Sequence, residues 1–260
     1  MCTLVLFFHV FPEFPIVIAA NRDEDLSRPS LGPVQLASSP WIVGGKDLLA
    51  QGTWLGVNAH GVAVGILNRQ SYEPIDPQAR SRGQLCLDAL KQHSAEAALG
   101  FLLTQDDSKY NPFNLVLVDS TSAYVIDNHV SPLTVHRLST GIHLVTNRNA
   151  NDPACSRISR FSPLFAKDVA HSKKKSPALL YFFSLLHQRM ATHADPTAEA
   201  RDGLCIHLEG YGTRSSTLLA YAKQERFFRY HFAPGPPCRT HYKEVELPSP
   251  TFTSHPPSTA

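Results

Sequence analysis

Apolar positions along this chain come in short blocks. Residues 1–20, MCTLVLFFHVFPEFPIVIAA, are almost continuously apolar, yet Pro12, Glu13 and Pro15 break the run in its middle. Short apolar runs bounded by turn residues read as buried strands, here over 3–9 and 15–20. The competing reading is a secretory leader, but no Lys or Arg opens the segment and its apolar core is interrupted. Residues 53–58 (TWLGVN) and 61–68 (GVAVGILN) predict a hairpin around Ala59, His60 and Gly61. A second hairpin is expected from 113–119 and 122–127, and further strands over 142–147, 215–222 and 226–232. Helical spacing covers 83–104, as one broken helix or two, with Ser94 as N-cap and Glu96 in the first turn of the second. Residues 153–169 also read as helix. A firmer helix spans 177–190, with Ser176 at N-cap and Pro177 at N1. Hairpins separated by helical blocks predict an α+β fold, with antiparallel sheets and helices segregated to outer layers.

From position 233 onward the composition changes. Prolines gather at 234, 236, 237, 248, 250, 256 and 257, and 248–260 holds little but Pro, Ser and Thr. The expected organisation is one domain over 1–232 and a Pro-rich extension over 233–260, partly disordered. A chain of 260 residues buries a full core without staples, since a domain of that size hides roughly 70–75% of its unfolded surface. No apolar run approaches the ~18 residues of a membrane span. Lys plus Arg number 24 against 22 Asp plus Glu. This near-neutral balance argues against a nucleic-acid partner, which needs a concentrated basic face. The five cysteines, Cys2, Cys86, Cys155, Cys205 and Cys238, form no CxxC pair. They read as reduced thiols and give no expectation of a disulfide framework or a metal site. The cytoplasm is the expected compartment. The sequence leaves the oligomeric state open.

Several polar residues stand where strands end. Cys2 follows the initiator Met directly, so removal of Met1 would leave a free α-amine beside a thiol, a nucleophile and a base in one residue. The plain alternative is a small buried strand residue. Asn21, Arg22, Asp23 and Glu24 follow the second strand, and an antiparallel hairpin returns them to the end of the sheet where Cys2 starts. There Asp23 would hold the α-ammonium, or the four would form a solvated loop. Asn68 closes the hairpin strand GVAVGILN, as a strand terminator or as an oxyanion donor. Asn147 ends the strand LVTN in the same way. Arg214 sits in GYGTRSST, a Gly-flanked loop leading into a strand. No GxxxxGK[ST] or GxGxxG is present, so a phosphate loop is not expected.

Together these residues resemble a known family. MCTLVLF, AANRDEDLSRPS (19–30), QGTWLGVNAHG (51–61), RSRGQL (80–85), YNPFNLVLVD (110–119), LVTN (144–147) and GYGTRSSTLL (210–219) are similar to the NRDE family, also called the transport and Golgi organisation protein 2 family. The resemblance runs from Cys2 to about residue 222. That family in turn resembles the N-terminal nucleophile hydrolases, nearest to the choloylglycine hydrolase group of amidases. The implied fold is a four-layer αββα sandwich of two antiparallel sheets. Carried across, Cys2 matches the nucleophile and Asp23 the acid that orients the N-terminus. Asn68 matches the residue whose backbone N–H lines the oxyanion hole. Asn147 matches the Asn whose amide donates to the oxyanion, and Arg214 a late Arg near the nucleophile. Asn21, Arg22 and Trp54 are candidates for substrate contact. The amidases carry an Arg one position before the Asn of their motif. Here Ala20 stands at that position, and Arg22 falls between Asn21 and Asp23. Consecutive residues of an extended segment point to opposite faces, so Arg22 is expected to point away from the thiol. The resemblance implies an amidohydrolase or acyltransferase acting on a small-molecule amide or thioester, with no cofactor required. Its alternative is a non-catalytic carrier, with haem or a lipid as cargo.

Overall fold

A computed structural model describes residues 2–71 and 73–247. The chain begins with β1 (Thr3–Phe11), β2 (Phe14–Asp25), β3 (Ser30–Ser38), β4 (Trp41–Asp47), β5 (Leu55–Asn58) and β6 (Ala63–Asn68), followed by helices α1 (Arg82–Ala89) and α2 (Ala95–Leu103). Next come β7 (Phe113–Val118), β8 (Ala123–Asp127), β9 (Thr134–Arg137) and β10 (Gly141–Val145), then α3 (Ser156–Ser172) and α4 (Ala178–Met190). The chain closes with β11 (Tyr211–Ala222), β12 (Phe227–Ala233) and β13 (Lys243–Glu244). One sheet has six strands in the order β10-β1-β2-β11-β12-β13; the other has seven, β3 to β9 in sequence order. Every pairing between strands is antiparallel.

The period-2 alternation of the strands builds the layers. On β1, Leu4, Leu6 and Phe8 face the other sheet and meet Leu55, Val57, Val116 and Val125 there. Val5, Phe7 and Phe11 face the opposite way, onto Phe161, Phe165 and Phe182 of α3 and α4. The second sheet turns Val62, Val64 and Leu115 outward against Leu85, Ala98 and Leu102 of α1 and α2. These three apolar interfaces, with the inter-sheet core in the middle, make the αββα sandwich. β1 and β2, which include most of the apolar run 1–20, are both inner strands of the first sheet.

The helix ends follow local chemistry. The Ser94 hydroxyl accepts from Ala97 N at 3.1 Å and caps α2, while the Asp119 carboxylate accepts from Ala95 N at 2.7 Å. The expected start of α4 shifts by one residue. Pro177 is extended (φ −76°, ψ 126°), so it holds the cap position in place of N1, and no side chain caps the helix. Beyond residue 232 the sheet continues. β13 pairs with β12, and Val245 and Leu247 pack on the inter-sheet core. The disorder expected over 248–260 falls outside the described residues.

Candidate functional site

The start of β1 and the end of β2 meet at one rim of the sandwich. Their register pairs Thr3 with Asn21, which sets Cys2 level with Arg22. The polar run Asn21–Asp25 is therefore a continuation of β2, not a loop. Even-numbered residues of β1 and β2 face the inter-sheet space, as Leu4, Ile16 and Ile18 do. Cys2 and Ala20 pack against that same core, and Arg22, two residues on from Ala20, shares their face. The expectation that Arg22 points away from the thiol is thus corrected. Moving an Arg from position 20 to 22 shifts it by one full strand period and keeps it on the thiol side.

Cys2 is half-buried, and its Sγ donates to the Asp23 carbonyl at 3.5 Å. The sulfur opens on a cavity of about 330 Å³, whose walls include Arg22, Glu24, Arg28, Asp47, Trp54, Asn68, Arg80 and Arg82. A much smaller hollow shares Cys2, Arg22, Trp54 and Ile66 with it and is closed by Leu4, Ala20, Leu55 and Leu67. Arg22 is 5% exposed. Its guanidinium lies 4.4 Å over the Trp54 ring and reaches Asp47 at 3.4 Å and Glu24 at 3.7 Å. Its Nη1 has no hydrogen-bond partner among the described residues. Asp47 is held in turn by Arg28 Nε at 2.7 Å and by the backbone N–H groups of Leu49 and Ala50.

Burial pushes the Cys2 thiol up, and the nearby Asp23 charge adds to this, while Arg22 pulls it down. Asp23 is almost fully buried, with Oδ1 accepting from Thr213 Oγ1 at 2.7 Å. Burial raises its pKa to about 6, against the pull of the Thr213 hydrogen bond and of Arg157. The Tyr211 hydroxyl donates to the Asp23 carbonyl at 3.1 Å. Asn21 points the other way. Its amide donates to the carbonyls of Met190 (2.9 Å) and Leu204 (2.8 Å), tying β2 to the end of α4 and to the segment ahead of β11.

The structure brings Cys2, Arg22, Trp54 and Asn68 to one cavity and sets Asp23 directly behind the thiol. Asn147 lies close by but lines a neighbouring groove with Gln70 and Arg157. The β1–β10 register, carried two residues past its last pair, Leu4 with Val145, makes Asn147 level with Cys2. Its amide donates to Gln70 Oε1 at 3.4 Å, and its carbonyl accepts from Gln70 N at 2.8 Å. Arg214 is not in a loop. It occupies a bulge inside β11, between Thr213, which pairs with Asp23, and Ser215, which pairs with Arg22. A bulge re-aims a side chain, and Arg214 lines a separate cavity with Leu26, Tyr211 and Pro236. Residues that reasoning from single motifs passed over are Arg28, Asp47, Arg80 and Arg82 on the cavity wall, and Arg157. Arg157 donates to Thr3 Oγ1 at 2.6 Å from α3. Arg28, Arg80 and Arg82 stand in segments already matched to the family. For Arg157 no such signal exists.

Comparison with known proteins gives the family and the fold. The family model for Transport and Golgi organisation 2 matches residues 1–231. The human Transport and Golgi organization protein 2 homolog is 26% identical over 249 residues, covering 84% of this chain and 88% of its own. The Drosophila melanogaster protein of that name is 30% identical over 118 residues, 42% of each chain. Among solved structures, the Caenorhabditis elegans ortholog of N-acylethanolamine-hydrolyzing acid amidase superposes with TM-score 0.56 at 16% identity, covering 84% of this chain and 92% of its own. Conjugated bile acid hydrolase from Clostridium perfringens, as a C2A mutant, gives 0.57 at 11% identity, covering 96% and 98%. These structures establish the shared N-terminal nucleophile hydrolase fold.

Proposed function

Because the chain belongs to the Transport and Golgi organisation 2 family and has the fold of the N-terminal nucleophile hydrolases, we propose that it cleaves or transfers an acyl group from a small-molecule amide or thioester, with Cys2 as nucleophile. The observation that carries this reading is the half-buried Cys2 sulfur at the wall of a cavity that also holds a buried Arg22 with a free N–H. Burial pushes the thiol up, so attack calls for a base to take its proton. The proton must leave as attack occurs, and the α-amine exposed by loss of Met1 is the base within reach. Sulfur adds to the carbonyl carbon, the amine takes the thiol proton, and the carbonyl oxygen becomes an oxyanion. The Asn68 backbone at the cavity wall is a candidate donor, and so is the Asn147 amide, level with Cys2, once it leaves Gln70. Such a donor is worth about 10²–10³ in rate. The oxyanion then collapses and expels the amine or thiol, which takes the proton back. Water or an acceptor amine next removes the acyl group from sulfur. The charged cavity suits a polar part of the substrate, and the hollow beside Leu4, Ala20 and Leu67, of about 20 Å³, has room for no more than a single small group.

A haem carrier remains the alternative on the same fold. Among the described residues no histidine lines either cavity at Cys2, and the larger one is walled by charges, not by the apolar surface a porphyrin needs. The nucleophile reading is therefore preferred. Its test is mass spectrometry of the purified chain after treatment with amide and acyl-thioester probes. Loss of Met1 and an adduct on Cys2, absent from Cys2→Ser, are expected. Protein that lacks Met1 and forms no Cys2 adduct with any probe would refute the proposal.

A further inference from the structure

Far along the chain from Cys2, the residues His193, Cys205, His207 and Cys238 converge, and the potential ligand atoms of all four lie within 4.8 Å of one another. We propose that these four side chains bind one structural zinc ion. The fold brings them from three segments. His193 follows α4, Cys205 and His207 precede β11, and Cys238 lies in the extension beyond the family match. Cys205 and His207 are two apart, so an extended segment turns both to one side. The backbone fixes this arrangement. Leu204 N and Cys205 N both donate to Thr192 O, at 2.9 and 3.0 Å. Gly203 lets the two segments touch, since a Cβ there would stand 2.5 Å from Ala194 N. Cys238 is presented by a turn in which Arg239 N and Thr240 N donate to Pro236 O.

Three of the six ligand-to-ligand distances lie close to those of a coordination tetrahedron. Zn–S near 2.3 Å and Zn–N near 2.05 Å give ligand edges of roughly 3.3–3.8 Å. Here the Cys205 and Cys238 sulfurs are 3.5 Å apart, His207 Nε2 is 3.1 Å from Cys238 Sγ, and it is 3.7 Å from Cys205 Sγ. The His193 and His207 rings meet edge to face with centroids 5.2 Å apart. Two thiolates and two imidazoles form a soft, four-coordinate set that favours zinc over magnesium or calcium. Four protein ligands leave no open position, which marks a structural and not a catalytic ion. Cys205 is buried while both histidines are exposed, so the ion has a path in from solvent. Binding releases the two thiol protons and involves no electron transfer.

The ion would clamp the C-terminal extension to the segment that supports the thiol. Next to Cys205, Leu204 O receives the Asn21 amide, and Ile206 N donates to the same Thr213 hydroxyl that holds Asp23. The full chain, reduced and stripped by chelator, is titrated with zinc against a chromophoric chelator, and separately with cobalt. One zinc per chain and the visible bands of tetrahedral thiolate-bound cobalt are expected. Cys238→Ser and His193→Ala should each weaken zinc by more than about 100-fold, beyond the loss an outer-shell partner causes. His193 is exposed, so its replacement leaves the fold intact by circular dichroism. Three results would each overturn the proposal: no saturable site at one per chain, unchanged affinity in folded His193→Ala, or a Cys205–Cys238 disulfide in protein kept reduced.

Discussion

Replacing Asn21 separates its structural load from any role in the cavity. The side chain is 1% exposed, and its amide is the donor for two buried carbonyls, Met190 O and Leu204 O. Asn21→Ala leaves both carbonyls without that donor. An orphaned buried acceptor costs about 1–3 kcal/mol, so the pair, relaxing together, should cost about 2–4 kcal/mol. A domain of this size loses ~2–4 °C of melting temperature per kcal/mol, which places the shift at roughly 4–16 °C. Asn21→Asp keeps the shape but sets acceptors against acceptors, and should be the worse variant. The assay is urea unfolding followed by tryptophan fluorescence, run beside Cys2 labelling of the folded protein by an acyl probe. The expected result is a lowered midpoint with labelling largely kept. A stability change under ~0.5 kcal/mol, or an Asp variant no worse than the Ala variant, would refute this assignment. A substrate contact would give the reverse pattern, with the midpoint unchanged and labelling lost.

Asp23, with its pKa raised to about 6 by burial, is ionised above that pH and neutral below it. Cys2 labelling should therefore fall as pH drops through about 6, and Asp23→Asn should flatten that limb; an unchanged limb in the variant would assign it to another group. Gly45→Ala would set a Cβ 2.1 Å from Trp54 Cζ2 and force a shift of the indole over which Arg22 lies. Overpacking of this kind costs about 1–3 kcal/mol, and slower Cys2 labelling should accompany it; wild-type unfolding and labelling curves would contradict the packing described.

How much of this was legible in the sequence depended on whether a signal was local. β1, β2 and β5 to β8 announced themselves through apolar runs, and α2 through Ser94. β3 and β4 did not. Pro33 and Gly32 make the edge strand β3 read as a turn, and Gly44–Gly45 does the same for β4. Those glycines answer a non-local demand. A Cβ on Gly44 would lie 2.6 Å from Leu55 O, and one on Gly45 would strike Trp54. The site shows the same division. Cys2 and Asp23 were placed by one hairpin. The side on which Arg22 falls needed only the strand period, correctly counted from Ala20. Arg214 could not be placed, because the bulge that re-aims it is a property of the β2–β11 pairing. His193, Cys205, His207 and Cys238 carry no recognisable spacing, since a loop parts His193 from Cys205 and the β11–β12 hairpin parts His207 from Cys238.

The short pairing of β13 with β12 bears on how this protein can be cut. His231 and Phe232 find their partners in Glu244 and Lys243, and Val245 and Leu247 cover the core beside Phe228 and Tyr230. A fragment ended at residue 231, where the family match stops, would bare an aromatic-rich strand margin to other molecules. Uncapped margins of that kind recruit further strands. Residues 243–247 thus cover part of that margin, and a cut at residue 231 should raise self-association, which light scattering of the truncated chain would read.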